Sequence, residues 1–214
     1  VGSGKSEVMR AVYGLERVVS GSVHFLGSDR TGARTAHMLR DGMFYLSPDR
    51  KAEGLILGFS SKTNIVLPML GGRLNGALGF VKEQEGLKAS RAAALRVELA
   101  DRNFTRPVGL LSGGNQQKVM FAKGMTADAA LYVFDEPTVG VDVGTRTALY
   151  KLIQALCEGG AAVVVISSDM PEILHLAHRA YVMCRGRIAG ELAAADLTEA
   201  NLLNLFFDRE KAAA

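Results

Sequence analysis

The chain has 214 residues, of which 48% are hydrophobic and 22% are charged, and its formal net charge is +3 at pH 7. This composition is typical of a soluble globular chain that can bury a sizeable core, as one large domain or a domain with a subdomain. The net charge is too small to indicate a nucleic-acid-binding protein. No apolar run is long enough to span a bilayer, so a role at a membrane would be that of a peripheral partner.

The cysteines and histidines give little indication of metal chemistry. Cys157 and Cys184 lie in unrelated apolar stretches without CxxC spacing, which predicts buried, reduced thiols. His175 and His178 are placed i,i+3 on one face of a predicted helix, but no carboxylate or cysteine set completes a metal site. The chemistry is therefore expected in the glycine-rich and acidic segments.

The first such segment is Gly-Ser-Gly-Lys-Ser at residues 2–6. A P-loop has the pattern GxxxxGK[ST] after a strand, so its first glycine and its strand would precede residue 1. We therefore interpret the chain as an N-terminally cut fragment that begins inside the phosphate loop. Helical apolar spacing from Glu7 to Tyr13, ended by Gly14, supports this interpretation. In that setting the amides of residues 2–6 would wrap phosphate oxygens, Lys5 would reach the β and γ phosphates, and Ser6 would bind Mg²⁺.

The next predicted elements are a short strand at 22–26, a helix at 35–39 and a strand at 43–46. Asp49-Arg50-Lys51 follows that last strand directly, where α/β proteins place ligand-facing residues, although an ordinary solvated loop has the same composition. From about residue 60 to 107 the composition changes and includes a strong helix at 89–100, which predicts a helical insert.

The segment from Leu111 to Lys118 reads Leu-Ser-Gly-Gly-Asn-Gln-Gln-Lys and leads into an apolar run. Ser112 is a favourable N-cap residue, and the two glycines after it leave backbone N–H groups uncovered. A helix that begins in this way presents its positive end and bare amides to an anion. A plain capped surface helix would present the same end.

The apolar run at 130–134 predicts a buried parallel strand that ends in Asp135 and Glu136. Two acids at the end of a buried strand are costly unless they meet a cation or a reacting group. A strand-terminal aspartate is the expected Mg²⁺ partner in P-loop proteins, and the adjacent glutamate can polarise a water. The alternative is a strand-end turn with solvated acids.

The remaining predicted elements alternate between helix and strand, which favours an α/β fold. They are a helix at 145–156, a strand at 161–166, a helix at 170–178, a hairpin of 181–184 and 187–190 around Arg185-Gly186, and a terminal helix at 199–207.

Four segments in one order resemble the ATP-binding subunits of ABC transporters over essentially the whole chain. They are Gly4-Lys5-Ser6, Leu111-Ser112-Gly113-Gly114, Phe134-Asp135-Glu136-Pro137 and Val141-Asp142. Three finer segments look like the ribose/monosaccharide importer type: LSGGNQQK at 111–118, Asp49-Arg50-Lys51 with Gly54-Leu55, and SSDMPE at 167–172. Those proteins carry two ATPase domains in one chain, and this sequence resembles the second, C-terminal one.

The resemblance implies a P-loop NTPase of the ABC type, with a mainly parallel core sheet and a helical subdomain. The core would be residues 1–59 and 112–214, and the helical subdomain would be about residues 60–111. Two such domains would face each other head to tail, so that each LSGG segment touches the ATP held by the partner's P-loop.

The resemblance also assigns the site residues. ATP would be bound by the P-loop and its helix start, by the LSGG segment, and by the D-loop aspartate: Gly2, Ser3, Gly4, Lys5, Ser6, Glu7, Ser112, Gly113, Gly114, Gln116 and Asp142. Mg²⁺ would be held by Ser6 and Asp135. Glu136 would be the general base, and Ser168 stands where most family members have a switch histidine.

Two departures from the family pattern predict slow hydrolysis at this domain's own P-loop. Ser168 replaces the histidine with a short hydroxyl, and Pro48 stands where the Q-loop glutamine is expected; Asp49 is a candidate substitute. Lys5, which is often arginine in such second domains, argues that ATP is still bound.

The expected function is that of an ATPase that powers monosaccharide import, at the cytoplasmic face of the plasma membrane. Its expected partners are a second ABC ATPase domain in the same chain, a permease that docks around residues 49–64 and, indirectly, a sugar-binding protein, with no nucleic acid. Alternatives are a purine nucleoside importer, a mainly ATP-sensing domain, and an ABC protein acting on ribosomes or DNA. That last class usually has long charged linkers, coiled-coil insertions or basic tails, and the short insert at 60–107 shows none of these.

Overall fold

In the computed structural model, the described residues are 2–70, 72, 74 and 81–211. The helices are α1 Lys5–Tyr13, α2 Thr35–Arg40, α3 Ser61–Val66, α4 Glu83–Arg96, α5 Asp101–Phe104, α6 Gly113–Ala127, α7 Val143–Glu158, α8 Met170–Leu176 and α9 Glu199–Lys211. The strands are β1 His24–Phe25, β2 Ser28–Asp29, β3 Met43–Leu46, β4 Leu131–Asp135, β5 Ala162–Ile166, β6 Arg179–Cys184 and β7 Arg187–Ala193. The elements therefore alternate as expected for an α/β chain, and none of the described helices is long and apolar enough to cross a membrane.

The chain forms two compact units, one of Val1–Arg34 with Val165–Ala214 and the other of Thr35–Val164. The second unit contains β3 and β4, which pair in parallel with Met43 opposite Leu131 and Leu46 opposite Phe134. The sheet order is β3-β4-β5. Because parallel strands end at the same edge, the loops after β3 and β4 emerge side by side.

Helix α6 covers β3 and β4, and aromatic rings fill the space between them. Phe121 stacks on Phe134 with ring centroids 4.7 Å apart. Gly124 lies against Phe44 so closely that an added Cβ would be 2.8 Å from the ring. This contact requires a glycine in the middle of the helix, in spite of its low helix propensity.

The first unit contains the β6–β7 hairpin and α9. The hairpin turns at Arg185 and Gly186, both with positive φ, which is the conformation that a tight hairpin turn demands. Helix α9 packs on the hairpin, where a Cβ at Gly190 would lie 2.7 Å from Leu205. The predicted hairpin is confirmed, and its strands are longer than predicted.

Most predicted elements are present, and four details are wrong. The helix predicted at 89–100 runs from Glu83 to Arg96, and Glu98, with φ of 52°, lies beyond its end. Helix α8 ends at Leu176 because Ala177 is extended, so His178 is not on the same helix as His175. The predicted strand at 22–26 is only two residues long, since Leu26 enters a turn with φ of 48°. Both cysteines are free, but Cys157 is exposed and only Cys184 is buried.

We expect Gly124→Ala to loosen the packing of α6 on β3. The methyl group meets a buried ring that has little room to move, which costs about 1–3 kcal/mol in typical overpacked cores. Hydrogen exchange of peptides from α6 and β3 in the full-length protein would measure the faster opening. Gly58→Ala is the control because an added Cβ there meets nothing within 4 Å. Equal exchange in the two variants would contradict the packing argument.

Candidate nucleotide-binding site

The glycine-rich loop before α1 has the backbone that a phosphate loop needs. Gly2 has φ of 78° and Gly4 has φ of 90°, values that L side chains rarely adopt. Gly4 occupies the N-cap position of α1, and no side chain caps the helix there. The first amides of α1 are thus free of a side-chain cap, at the positive end of the helix.

The hairpin turn supports this loop from within the same unit. The Gly186 amide donates to the Ser3 carbonyl over 2.9 Å, and a Cβ at Gly4 would lie 3.2 Å from the Gly186 Cα. Among the residues that the structure describes, the Ser3 hydroxyl is buried and has no hydrogen-bond partner. A buried hydroxyl donor beside helix amides fits a phosphate oxygen.

Lys5 and Ser6 form the first turn of α1, where the P-loop pattern requires them, and Glu7 follows with an exposed side chain. An ammonium group and a hydroxyl at this end of the helix match the charge and the ligand chemistry of Mg-ATP. The local geometry is consistent with the predicted roles of residues 2–6.

Asp135 is fully buried at the end of β4 and accepts a 2.5 Å hydrogen bond from the Tyr45 hydroxyl. The parallel register places Tyr45 opposite Val133, close enough for its hydroxyl to reach the strand end. A charged hydrogen bond of this kind offsets part of the cost of burying a carboxylate. Sequence reasoning missed Tyr45, although a tyrosine in a buried strand indicates that its hydroxyl needs a partner.

Glu136, the predicted general base, has φ of 48°. A non-glycine residue in this left-handed region costs about 1–3 kcal/mol, and such strain persists only where surrounding contacts fix it. One such contact is the 2.7 Å hydrogen bond from the buried Gln117 amide of α6 to the Pro137 carbonyl. Helix α6 therefore holds the loop that carries Glu136.

The LSGG segment begins α6 at Gly113, as predicted, but Ser112 does not cap the helix with its side chain. The Ser112 hydroxyl instead accepts a 2.9 Å hydrogen bond from the Asn115 side chain. The predicted side-chain cap is therefore wrong. The Ser112 side chain therefore leaves the first amides of the helix uncovered, which favours the anion site predicted there.

Gly113 and Gly114 of the LSGG segment pack against the D-loop, which is the segment 138–142 between β4 and α7. A Cβ at Gly113 would lie 3.2 Å from the Gly140 carbonyl. A Cβ at Gly114 would lie 2.9 Å from the Thr145 hydroxyl and 3.3 Å from the Asp142 carboxylate. Glycine is thus required here for close approach as well as for bare amides.

Asp142 is exposed and caps α7 by accepting from the Thr145 amide (2.9 Å) and the Thr145 hydroxyl (2.8 Å). The Thr145 backbone and side-chain hydrogen bonds hold the pKa of Asp142 below its ordinary value. Asp142 therefore stays ionised beside Gly114.

The Gln116 side chain is buried and donates to the Val108 carbonyl over 3.2 Å, which anchors the start of α6. The ATP contact expected of Gln116 stays a prediction.

The two departures from the family pattern lie in loops. Ser168 is exposed between β5 and α8. Pro48 is exposed after β3, and the Asp49 carboxylate accepts from the Lys51 and Ala52 amides (3.0 and 2.9 Å). Asp49 is thus engaged as the cap of a short π-helical turn, Arg50–Gly54, which does not favour it as a substitute for the glutamine.

No cluster of three or more His, Cys, Asp or Glu side chains suited to a metal ion occurs in the described part of the chain. Mg²⁺ is usually held by one or two protein oxygens together with phosphate and water, so a hydroxyl and a single carboxylate fit it. Ser6 and Asp135 each have a side chain of that chemistry, and their joint role in holding Mg²⁺ stays a prediction.

Comparison with known proteins identifies the class. The pattern of the ABC transporter family matches residues 1–139, so the chain belongs to this family. A dimeric ATP-binding cassette in a post-hydrolysis state, bound to ADP and Pi, has the same fold, with a TM-score of 0.79 at 23% identity over 90% of this chain and 81% of that one.

Two relatives are more similar in sequence. A ribose/galactose/methyl galactoside import ATP-binding protein of Burkholderia cenocepacia is 40% identical over 98% of this chain and 41% of its own length. A ribose import ATP-binding protein of Lactococcus lactis is 40% identical over 96% of this chain and 41% of its own length. The chain thus spans about two fifths of the length of these relatives.

We expect Asp142→Ala to fray the start of α7, whereas Asp142→Asn should preserve it because asparagine is an equally good cap. Hydrogen exchange of the peptide 142–150 measures this difference. In the parent protein the carboxylate cap should be fully present above the ordinary aspartate pKa of 3.8 and be lost as the pH falls through the lower pKa of the folded state. Fraying in the asparagine variant as well would contradict a capping role.

Proposed function

We propose that this chain is an ATP-binding and ATP-hydrolysing domain that powers the import of a monosaccharide through a membrane permease. The observation that carries the proposal is the loop at residues 2–6, whose left-handed glycines lead into a helix start with Lys5 and Ser6. The ribose and galactose importers named among the relatives support a sugar as the cargo.

The residues of this chain supply binding, charge and a base. Amides of residues 2–6 and the Lys5 ammonium would bind the phosphates, and Ser6 and Asp135 would be the residues that hold Mg²⁺. Bound Mg²⁺ would neutralise charge on the phosphate oxygens. Glu136 would accept a proton from the attacking water, and its left-handed backbone lies in the loop held by α6.

A second ATPase domain completes the site. Ser112, Gly113 and Gly114 start a helix whose first amides are bare, and Asp142 lies beside them. These groups serve the nucleotide held by the P-loop of a partner domain. The relatives' greater length leaves room for such a domain in the same chain.

The permease docks on the segment 49–64, at the cytoplasmic face of the membrane. Its Ile56 and Phe59 side chains are 44% and 48% exposed, and the neighbouring Leu110 is 67% exposed. The backbone beneath them is fixed, since the buried Asn64 side chain bonds to both Ile56 backbone groups (2.8 and 3.0 Å). Rigid apolar residues of this kind suit a helix from the membrane permease. A sugar-binding protein would deliver the sugar to that permease from outside.

Hydrolysis at the domain's own P-loop is slow in this proposal. Ser168 is too short to replace a histidine, and the Asp49 carboxylate is engaged in capping. The domain then contributes to ATP turnover mainly through its LSGG segment. If its own P-loop hydrolysed no ATP, its role would be mainly ATP sensing.

We expect Ser112→Arg in the full-length protein to abolish most ATP turnover, because a long cation fills the space where the partner's phosphate meets the helix. Glu136→Gln should have the smaller effect, since it disables only the slower site. Steady-state ATPase assays separate the two. Loss of turnover with Glu136→Gln but not with Ser112→Arg would overturn the asymmetric assignment.

We expect Phe59→Asp to weaken co-purification of the full-length protein with its permease, since a carboxylate is buried without a partner on docking. Leu95→Asp is a matched control, because Leu95 is 72% exposed on α4 and lies outside the segment 49–64. Sugar uptake should fall with the first variant only. Unchanged permease binding with Phe59→Asp would exclude this docking surface.

A further inference from the structure

Arg50 lies between the start of α6, which carries the LSGG segment, and the D-loop. Its Nη1 donates to the Val139 carbonyl over 3.1 Å. A Cβ at Gly113 would lie 3.0 Å from Nη2 of Arg50, and a Cβ at Gly140 would lie 3.2 Å from the same atom. The guanidinium therefore fills the space that these two glycines leave open.

The turn that carries Arg50 is fixed at both ends. The Asp49 carboxylate caps its first amides, and the Lys123 ammonium of α6 donates to the Gly54 carbonyl at its end over 3.0 Å. Burial lowers the pKa of Lys123. Gly54 also packs directly on Met120, where an added Cβ would overlap the side chain. Arg50 thus projects from a segment that is attached to α6.

The placement of Arg50 has an electrostatic cost, because a cation at the N-terminus of a helix is disfavoured by the helix dipole. The Val139 carbonyl supplies the opposing partial charge, so Arg50 and the D-loop fix one another. The planar fork of arginine lets one nitrogen bind Val139 while another lies against Gly113. The single ammonium group of a lysine cannot occupy both places.

We propose that Arg50 is a positioning residue that holds the D-loop against the LSGG helix, so that both reach the partner domain's nucleotide as one unit. This inference rests on the proposed function, in which these two segments serve the partner's site. Arg50 also belongs to the proposed docking segment 49–64, so it forms a physical link from the permease-facing segment to the D-loop.

Arg50→Met in the full-length protein tests the inference. It removes the charged hydrogen bond to Val139 and keeps the side-chain length, so kcat should fall about 10-fold. The KM for ATP should change by less than about twofold, because the P-loop binds the nucleotide. The kcat of Arg50→Lys should stay as low as that of Arg50→Met. Hydrogen exchange of residues 137–142 should be faster in both variants, with no change in β3 and β4.

Arg40→Met is the matched control, since Arg40 also donates to a backbone carbonyl, that of Ala36, over 3.1 Å. Turnover equal in Arg50→Met and Arg40→Met, or restored by Arg50→Lys, would overturn the positioning role. Ser112→Arg, measured in the same preparation, separates the two proposals. If it lowers turnover and Arg50→Met does not, only the inference on Arg50 fails; if it has no effect, the proposed role of the LSGG segment at the partner's nucleotide fails.

Discussion

The contact of two glycines with the D-loop is the constraint on which the site depends. A side chain at Gly113 would meet the Gly140 carbonyl, and a side chain at Gly114 would meet Thr145 and Asp142. An added Cβ at either glycine would be closer to these atoms than ordinary van der Waals contact, so the beginning of α6 lies in direct contact with the D-loop and the beginning of α7. A group that moves one of them must move the other, which is the property that a shared phosphate site requires.

The parallel register of β3 and β4 provides the second constraint. It brings the end of each strand to the same edge, so that Tyr45 reaches Asp135 and the segment after β3 lies beside the segment after β4. Helix α6 then fixes both segments, through Gln117 at Pro137 and through Lys123 at Gly54. One helix thus carries the LSGG segment at its start and holds the acidic loop and the docking segment along its length.

The sequence predicts most elements because their signals are local. The apolar run at 130–134 and the glycines at residues 2 and 4 indicate a buried strand and a turn without reference to the rest of the chain. Contacts between distant residues leave no such signal. The bond from Tyr45 to Asp135 and the bond from Arg50 to Val139 join positions about 90 residues apart, and they exist only because the strands are parallel. Competition between neighbours explains the error at Ser112, where the Asn115 amide takes the hydroxyl that the helix amides would otherwise use.

In the proposed function, the placement of the polar groups accounts for how a domain that hydrolyses ATP slowly at its own P-loop would remain useful. The two positions that depart from the family pattern, Pro48 and Ser168, would serve the nucleotide on the domain's own P-loop. The groups that would serve the partner's nucleotide are fixed by several contacts: the close approach of Gly113 and Gly114 to the D-loop, the Asp142 cap and the Arg50 fork. In the proposed function, a pair of such domains would have one fast site and one slow site. Because closure of the pair would act on both sites together, ATP that stays bound at the slow site would favour the active geometry of the fast one.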